Sequence, residues 1–430
     1  MSSQKLGFWG VFALVTGSQI GTGVFMLPAS LAPFGVFSIY GWVISSVGAI
    51  ILALLFAILC ARFPRTGGPH VYVQKAFGSS IAFFTGWTYW VISWVSTSAV
   101  IISAIGYLSP FFDNQTATFY LFLEILLLFT IVILNLKGIA VAGKVEFLLT
   151  LLKFIPLLVV AITSLYWFDI NNFSIAQSIT EELTIPQTLG KVTLLTFWGF
   201  IGVESATTPA GSVINPTKTI PRAIVFGTIC VSILYLVNSI GIMGMTPGTE
   251  LMNSKAPYVD ASQIIFGGQW HLLISLIASI ICIGTLNAWV LTSGQIALGL
   301  AEDGLMPRIF ARKNKNEAPF FGLIISVLGI LPLLIITLDD NLSRQITSII
   351  DFSVIAFLLI YLLCSISFLK LLLQEPKNSQ YYHWIIGFLS VIFCSWIIYE
   401  TPIRTLLIAS MFTLSGVPVY FFGYKVSKNK

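Results

Sequence analysis

The sequence is short of charge. Of 430 residues, 22 are Lys or Arg and 17 are Asp or Glu, 9% of the chain, against roughly 25% in soluble domains. A water-soluble enzyme of this length is excluded on that ground, and so is a disordered chain. The net charge of +5 is no nucleic-acid footprint, because the basic residues fall in short scattered clusters. Paired cysteines are missing too. Cys60, Cys230, Cys282, Cys364 and Cys394 lie in or beside apolar runs without C-x-x-C spacing and read as apolar filling. His70, His271 and His383 are too far apart in sequence to suggest a metal site. No phosphate-binding glycine loop, nucleophile elbow or H-E-x-x-H motif occurs. Enzyme activity, cofactor, metal and nucleic acid are therefore all expected to be absent.

What is abundant is apolar. Hydrophobic residues make up 57% and the mean hydropathy is +0.93. A bilayer core ~30 Å thick needs about 20 apolar residues per helix. Twelve such runs lie near 6–32, 38–61, 80–108, 119–136, 146–167, 188–213, 222–245, 272–300, 320–338, 346–373, 382–399 and 402–424. The expected fold class is an all-α polytopic membrane protein with twelve transmembrane helices. The first run is long and carries glycines instead of a small-residue cleavage site, so it reads as a retained span and not a leader. Alternate connections hold seventeen Lys and Arg. The opposite set holds Lys191, Lys255, Arg344 and Arg404. That bias predicts cytoplasmic termini, in a bacterial inner membrane.

Two runs contain helix-breaking clusters: Gly17-Ser18-Gln19-Ile20-Gly21-Thr22-Gly23 in the first, and Trp198-Gly199-Phe200-Ile201-Gly202-Val203-Glu204-Ser205 in the sixth. They lie five spans apart, as two inverted repeats of spans 1–5 and 6–10 would place them. Paired interruptions of this kind point to a transporter binding site. Unwound backbone presents amide donors to a carboxylate and carbonyls to an ammonium, the two ends of an α-amino acid headgroup. Taken alone, Gly17-x-x-x-Gly21 is equally a helix-packing motif; the second break favours the site.

Charges inside spans are functional candidates by default. Four stand out: Glu124, Lys153, Glu204 and Asp351. Lys153 either snorkels to the surface or exchanges a proton in the interior. Glu124 is expected to face a polar partner in the bundle. Asp351, two residues before Ser353, is expected at the outer rim.

The segment Gly17–Phe25 with Leu27-Pro28-Ala29 resembles the first-helix signature of the amino acid–polyamine–organocation superfamily. Phe200–Ser205, Asn215-Pro216, Gly67–Tyr72 and Ala301–Pro307 are similar to further signatures, so the resemblance spans the chain. It is closest to the arginine/agmatine antiporters of the basic amino acid/polyamine branch. It implies a leucine-transporter-like 5+5 inverted repeat with helices 1 and 6 broken. The transport core would be 1–373 (repeats about 6–167 and 188–373), followed by two accessory helices in 374–430, often joined as a homodimer. It implies that Thr22 and the Gly23 amide take the substrate carboxylate, and that carbonyls of Gln19, Trp198 and Ile201 take the ammonium. Trp198 would cap the site, Trp289 would stack on a guanidinium, and Ser353 would offer a hydroxyl. Tyr89 would form a lower gate, and Glu204 would serve proton sensing and gating. Thr97 stands where the family antiporter has an amide, with Ile92, Ser93 and Val100 beside it. Ornithine, lysine, putrescine and neutral amino acids therefore stay open as substrates. Proton-coupled symporters of the superfamily carry a lysine in a run similar to Thr150–Leu157, where it replaces a sodium ion. The implied function is exchange of a cationic amino acid for its decarboxylated amine, with arginine and agmatine as the pattern. Proton-coupled symport through Lys153 is the rival within the class. Outside it stand a channel, which should show a continuous polar stripe, and a nutrient sensor, which would usually carry a soluble output domain.

Overall fold

Apolar runs this long can cross a bilayer only as helices, because each backbone polar group must be satisfied within its own segment. The computed structural model describes residues 5–112, 115–174, 183–254, 257–336, 342–375 and 380–421. Among them there are helices, short 3₁₀ turns and two isolated bridges, but no strand. The α-helices are α1 (Phe8–Gln19), α2 (Thr22–Leu31), α3 (Phe37–Arg62), α4 (Pro69–Phe77), α5 (Ser79–Gly106), α6 (Ala117–Leu136), α7 (Ile139–Ser164) and α8 (Ile185–Phe197). They continue as α9 (Pro216–Met245), α10 (Gly248–Leu251), α11 (Pro257–Phe266), α12 (Trp270–Glu302), α13 (Phe320–Ile336), α14 (Leu342–Gln374), α15 (Tyr381–Tyr399) and α16 (Ile403–Leu414).

Nine helical segments among the described residues are long and apolar enough to cross a membrane, and α13 is an apolar helix of 17 residues. The two expected spans missing from that set are the first and the sixth, the two that are interrupted. Several boundaries move outward: α7 begins at 139, not 146, and α9 at 216, not 222.

The first interruption falls at Ile20-Gly21, between α1 and α2. The sixth run departs further from expectation. After α8 it does not resume as a helix but proceeds through 3₁₀ turns at Trp198–Phe200, Ser205–Thr207 and Ala210–Ser212. Its residues explain this. Gly202 adopts φ +102, a region open chiefly to glycine. The Thr207 and Thr208 hydroxyls bond the carbonyls three residues back, at 2.7 Å each, and Pro209 removes an amide donor.

α1 and α2 sit centrally. α1 packs on α7, α9 and α12, and α2 on α8 and α9, while α3 pairs with α9 and α5 with α12. At one end of the bundle the ends of both interrupted segments are laced together. Leu6 N donates to Ser212 O and Ile214 N to Leu6 O, both at 2.9 Å. The loop before α4 joins this seal: Gly67 N donates to Thr208 O at 2.9 Å, Arg65 ion-pairs with Asp303, and His70 Nε2 lies 3.1 Å from the same carboxylate.

Candidate functional site

Unwinding at residues 20 and 21 frees carbonyls at the end of α1 and amides at the start of α2. The carbonyls are taken one by one by side chains of other helices. Lys153 Nζ donates to Gly17 O at 2.8 Å, Trp289 Nε1 to Ser18 O at 3.2 Å, the Tyr235 hydroxyl to Gln19 O at 2.7 Å, and Thr285 Oγ1 to Ile20 O at 2.6 Å. The Gln19 carbonyl, expected to await a substrate ammonium, is thus already engaged. The amide end differs. Gly21 gives α2 no side-chain cap, and Thr22 Oγ1 is buried without a hydrogen-bond partner. Uncapped donors at a positive dipole end suit a carboxylate. Ser18 Oγ joins the two breaks, 3.1 Å from Gly202 O and 2.8 Å from Ser205 Oγ.

A cavity lies against these groups. Gln19, Thr22, Gly23, Val100, Trp198, Ile201 and Trp289 line it, all of them candidates from the sequence; Ser18 and Gly21 of the first break, with Ser96 and Thr285, which the sequence did not single out, complete the wall. Its interior volume is only ≈ 20 Å³. That is room for one or two waters. An amino acid fits only after the walls separate.

Ile92, Ser93, Thr97 and Ser353 are buried but do not line this cavity. Ser93 Oγ donates to Trp90 O at 2.7 Å and Thr97 Oγ1 to Ser93 O at 2.6 Å, so both hydroxyls serve their own helix. Thr97 faces a separate, mostly apolar pocket on the other side of Trp289, with Trp94 and Ser326.

Two buried ionic clusters flank the breaks. Glu204 is fully buried; its Oε2 accepts from the Tyr361 hydroxyl, and no cation pairs with it among the described residues. Gly202 N donates to the same Tyr361 oxygen at 3.3 Å. Tyr89 is buried beside Glu204, its hydroxyl interacting with the same carboxylate. Lys153 is 0% exposed, which rules out snorkelling. Besides Gly17 O it contacts Thr285 Oγ1 at 3.1 Å and Glu146 Oε1 at 3.8 Å. Glu146 Oε2 accepts from Asn287 Nδ2 at 2.7 Å, and Asn287 Oδ1 accepts from Asn135 at 3.0 Å. Glu146 is a functional candidate that the sequence reading passed over. Its spacing from Thr150 and Lys153 places all three on one helical face, and that signal was there to be used. Glu124 is buried with no polar partner among the described residues, against expectation. The side chain of Asp351 lies outside the described residues.

Gly17 is where cluster and break meet. A Cβ there would lie 1.9 Å from Glu146 Oε1. Gly17→Ala is therefore expected to cost ~1–3 kcal/mol and to lower the thermal unfolding midpoint. Gly7→Ala, with nothing within 4 Å of the added carbon, is expected to leave the midpoint unchanged.

Known proteins are similar to this chain in sequence. The sequence profile of the amino acid permease family matches residues 6–421. The cadaverine/lysine antiporter of Escherichia coli (strain K12) is 30% identical, covering 100% of this chain and 97% of the relative. The putrescine transporter PotE of Haemophilus influenzae is also 30% identical, covering 100% of this chain and 99% of its own length. PotE of Escherichia coli (strain K12) is 26% identical over 97% of this chain. A match that runs through both breaks and nearly from end to end makes the chain an integral membrane protein of the amino acid permease family, within the amino acid–polyamine–organocation superfamily.

Proposed function

We propose that the protein is a secondary transporter that exchanges a cationic amino acid for its decarboxylated amine by alternating access. The observation that carries this is the start of α2. Uncapped amides and an unpartnered Thr22 hydroxyl face Trp198 and Trp289 across a cavity between two unwound segments. Carboxylate goes to the amides, and the distal cation goes toward an aromatic face. The twelve-span count and the five-plus-five inverted repeat belong to this proposal. The pairing of α3 with α9 and α5 with α12, each five spans apart, supports the repeat.

For the substrate pair we favour lysine with cadaverine or ornithine with putrescine over arginine with agmatine. No amide side chain stands at Thr97, and its hydroxyl is turned into its own helix. The relatives act on these compounds by name: one is a cadaverine/lysine antiporter and another a putrescine transporter. Removing the carboxylate turns a singly charged amino acid into a doubly charged diamine, so each cycle exports one positive charge. The charge bias of the loops supports cytoplasmic termini.

Reconstituted vesicles test the proposal. Uptake of labelled lysine is expected only when lysine, cadaverine, ornithine or putrescine is inside. Proton-driven uptake into vesicles without internal substrate would overturn exchange in favour of symport, the reading that the buried Lys153 favours. Trp289→Leu removes the cation–π partner, worth ~2 kcal/mol when water is excluded. It is expected to raise KM for the cation by about thirty-fold; an unchanged KM removes Trp289 from the site.

A further inference from the structure

An open surface groove of ≈ 1020 Å³ lies away from the breaks. It is a groove between α1, α3 and α9, walled by Phe8, Leu54, Phe226 and Ile229. Phe226 and Ile229 are exposed, so the groove opens on the apolar outside of the bundle. Lys218 and Arg222 stand at one end of it. Both are exposed, and neither pairs with a carboxylate among the described residues.

The order along α9 is informative. Lys218, Arg222, Phe226 and Ile229 follow one another at four- and three-residue steps, so they share a face. Two cations lie at the helix start, followed by an apolar strip running into the membrane. The start of α9 is a 30-residue helix N-terminus, with its positive dipole end beside the same two cations. It adjoins the seal between Leu6 and Val213, at the end of the bundle where Arg65 also lies. A groove that is cationic at the interface and apolar below has the profile of a phospholipid.

We infer that this groove binds an anionic glycerophospholipid of the surrounding leaflet, its phosphate held by Lys218 and Arg222 and an acyl chain laid over Phe226 and Ile229 against Phe8 and Leu54. Charge selects the headgroup. A zwitterionic lipid would bring its own ammonium toward two unpaired cations, whereas a singly anionic one neutralises them. The groove touches α1, the N-terminal half of the first broken helix, so the occupant seats against an element bordering the central cavity.

The test uses the full chain, purified and titrated with mixed micelles of phosphatidylglycerol and phosphatidylcholine, with retained lipid counted by native mass spectrometry. The wild type is expected to retain phosphatidylglycerol preferentially. K218Q/R222Q is expected to weaken that retention by roughly 30-fold, the effect of two basic residues at an anionic surface. Val225→Trp, which keeps both charges and fills the groove from a lining position, is expected to reduce it as well. Because the two cations are exposed, the double variant should unfold at the wild-type midpoint in phosphatidylcholine. Equal retention of the two lipids by the wild type overturns the inference, as does a preference that survives in both variants. Displacement of phosphatidylglycerol by inorganic phosphate at matched concentration also overturns it, since free phosphate would then be the ligand.

Discussion

Glu204→Gln is expected to lower exchange by about 10- to 100-fold without lowering thermal stability. The carboxylate is fully buried, meets only the neutral hydroxyls of Tyr361 and Tyr89, and has no counter-charge near it among the described residues. Holding such a charge is costly to the fold, and a neutral amide of the same shape relieves that cost. Its Oε1 still accepts from Tyr361. The variant should therefore unfold at the wild-type midpoint or above. What it loses is attraction for a positive charge arriving between the two breaks. A hydrogen bond to a charged group is worth ~1.5–3 kcal/mol, which converts to the stated range. The split between function and stability is the informative part. Wild-type exchange rates in Glu204→Gln would remove the carboxylate from the transport cycle. A lowered midpoint would instead make it a structural member of the Tyr361 cluster.

How much of this was legible beforehand varies with the range of the signal. The glycines at 17, 21 and 23 lie inside one apolar run, so the first break is a local fact, and the structure places it at Ile20-Gly21. Trp198 and Trp289 line the cavity. The donors that satisfy the broken carbonyls were not legible. Tyr235 and Thr285 are ordinary residues of unbroken helices, and only packing brings them 2.7 Å and 2.6 Å from Gln19 O and Ile20 O. Hydroxyls misled for a related reason. Ser93 and Thr97 look like substrate contacts by position, but a helix offers each a carbonyl within its own turn. The sixth segment was readable in principle, since Ser205, Thr207, Thr208 and Pro209 all oppose a resumed α-helix. Glu146 stands at the edge of an apolar run, where carboxylates are commonplace, and only its four- and seven-residue spacing from Thr150 and Lys153 marks it.

That carboxylate supplies the largest expected effect on stability. Lys153→Met leaves Glu146 buried and without a counter-charge, and it removes the ammonium donor from the Gly17 carbonyl and from Thr285 Oγ1, leaving Thr285 as the remaining side-chain donor at that break. Breaking one side of a buried ion pair costs ~3–5 kcal/mol. The single variant should unfold at a clearly lower midpoint, and so should Glu146→Gln. Joining the two removes the uncompensated charge. The double variant Lys153→Met/Glu146→Gln is expected to recover most of the loss, because the pair's own desolvation cost disappears with it. Strictly additive losses would show that the 3.8 Å separation carries no coupling. The rescued double variant also separates architecture from transport. Lys153 bonds the unwound end of α1 to α7 and α12. If that ammonium takes part in the cycle, restored stability will not restore exchange. A stable Lys153→Met/Glu146→Gln protein that transports at the wild-type rate with the wild-type pH dependence would reduce the lysine to a structural tie. Failure of exchange in a stable protein would instead mark the junction of Gly17, Lys153 and Thr285 as the point through which the first break is moved.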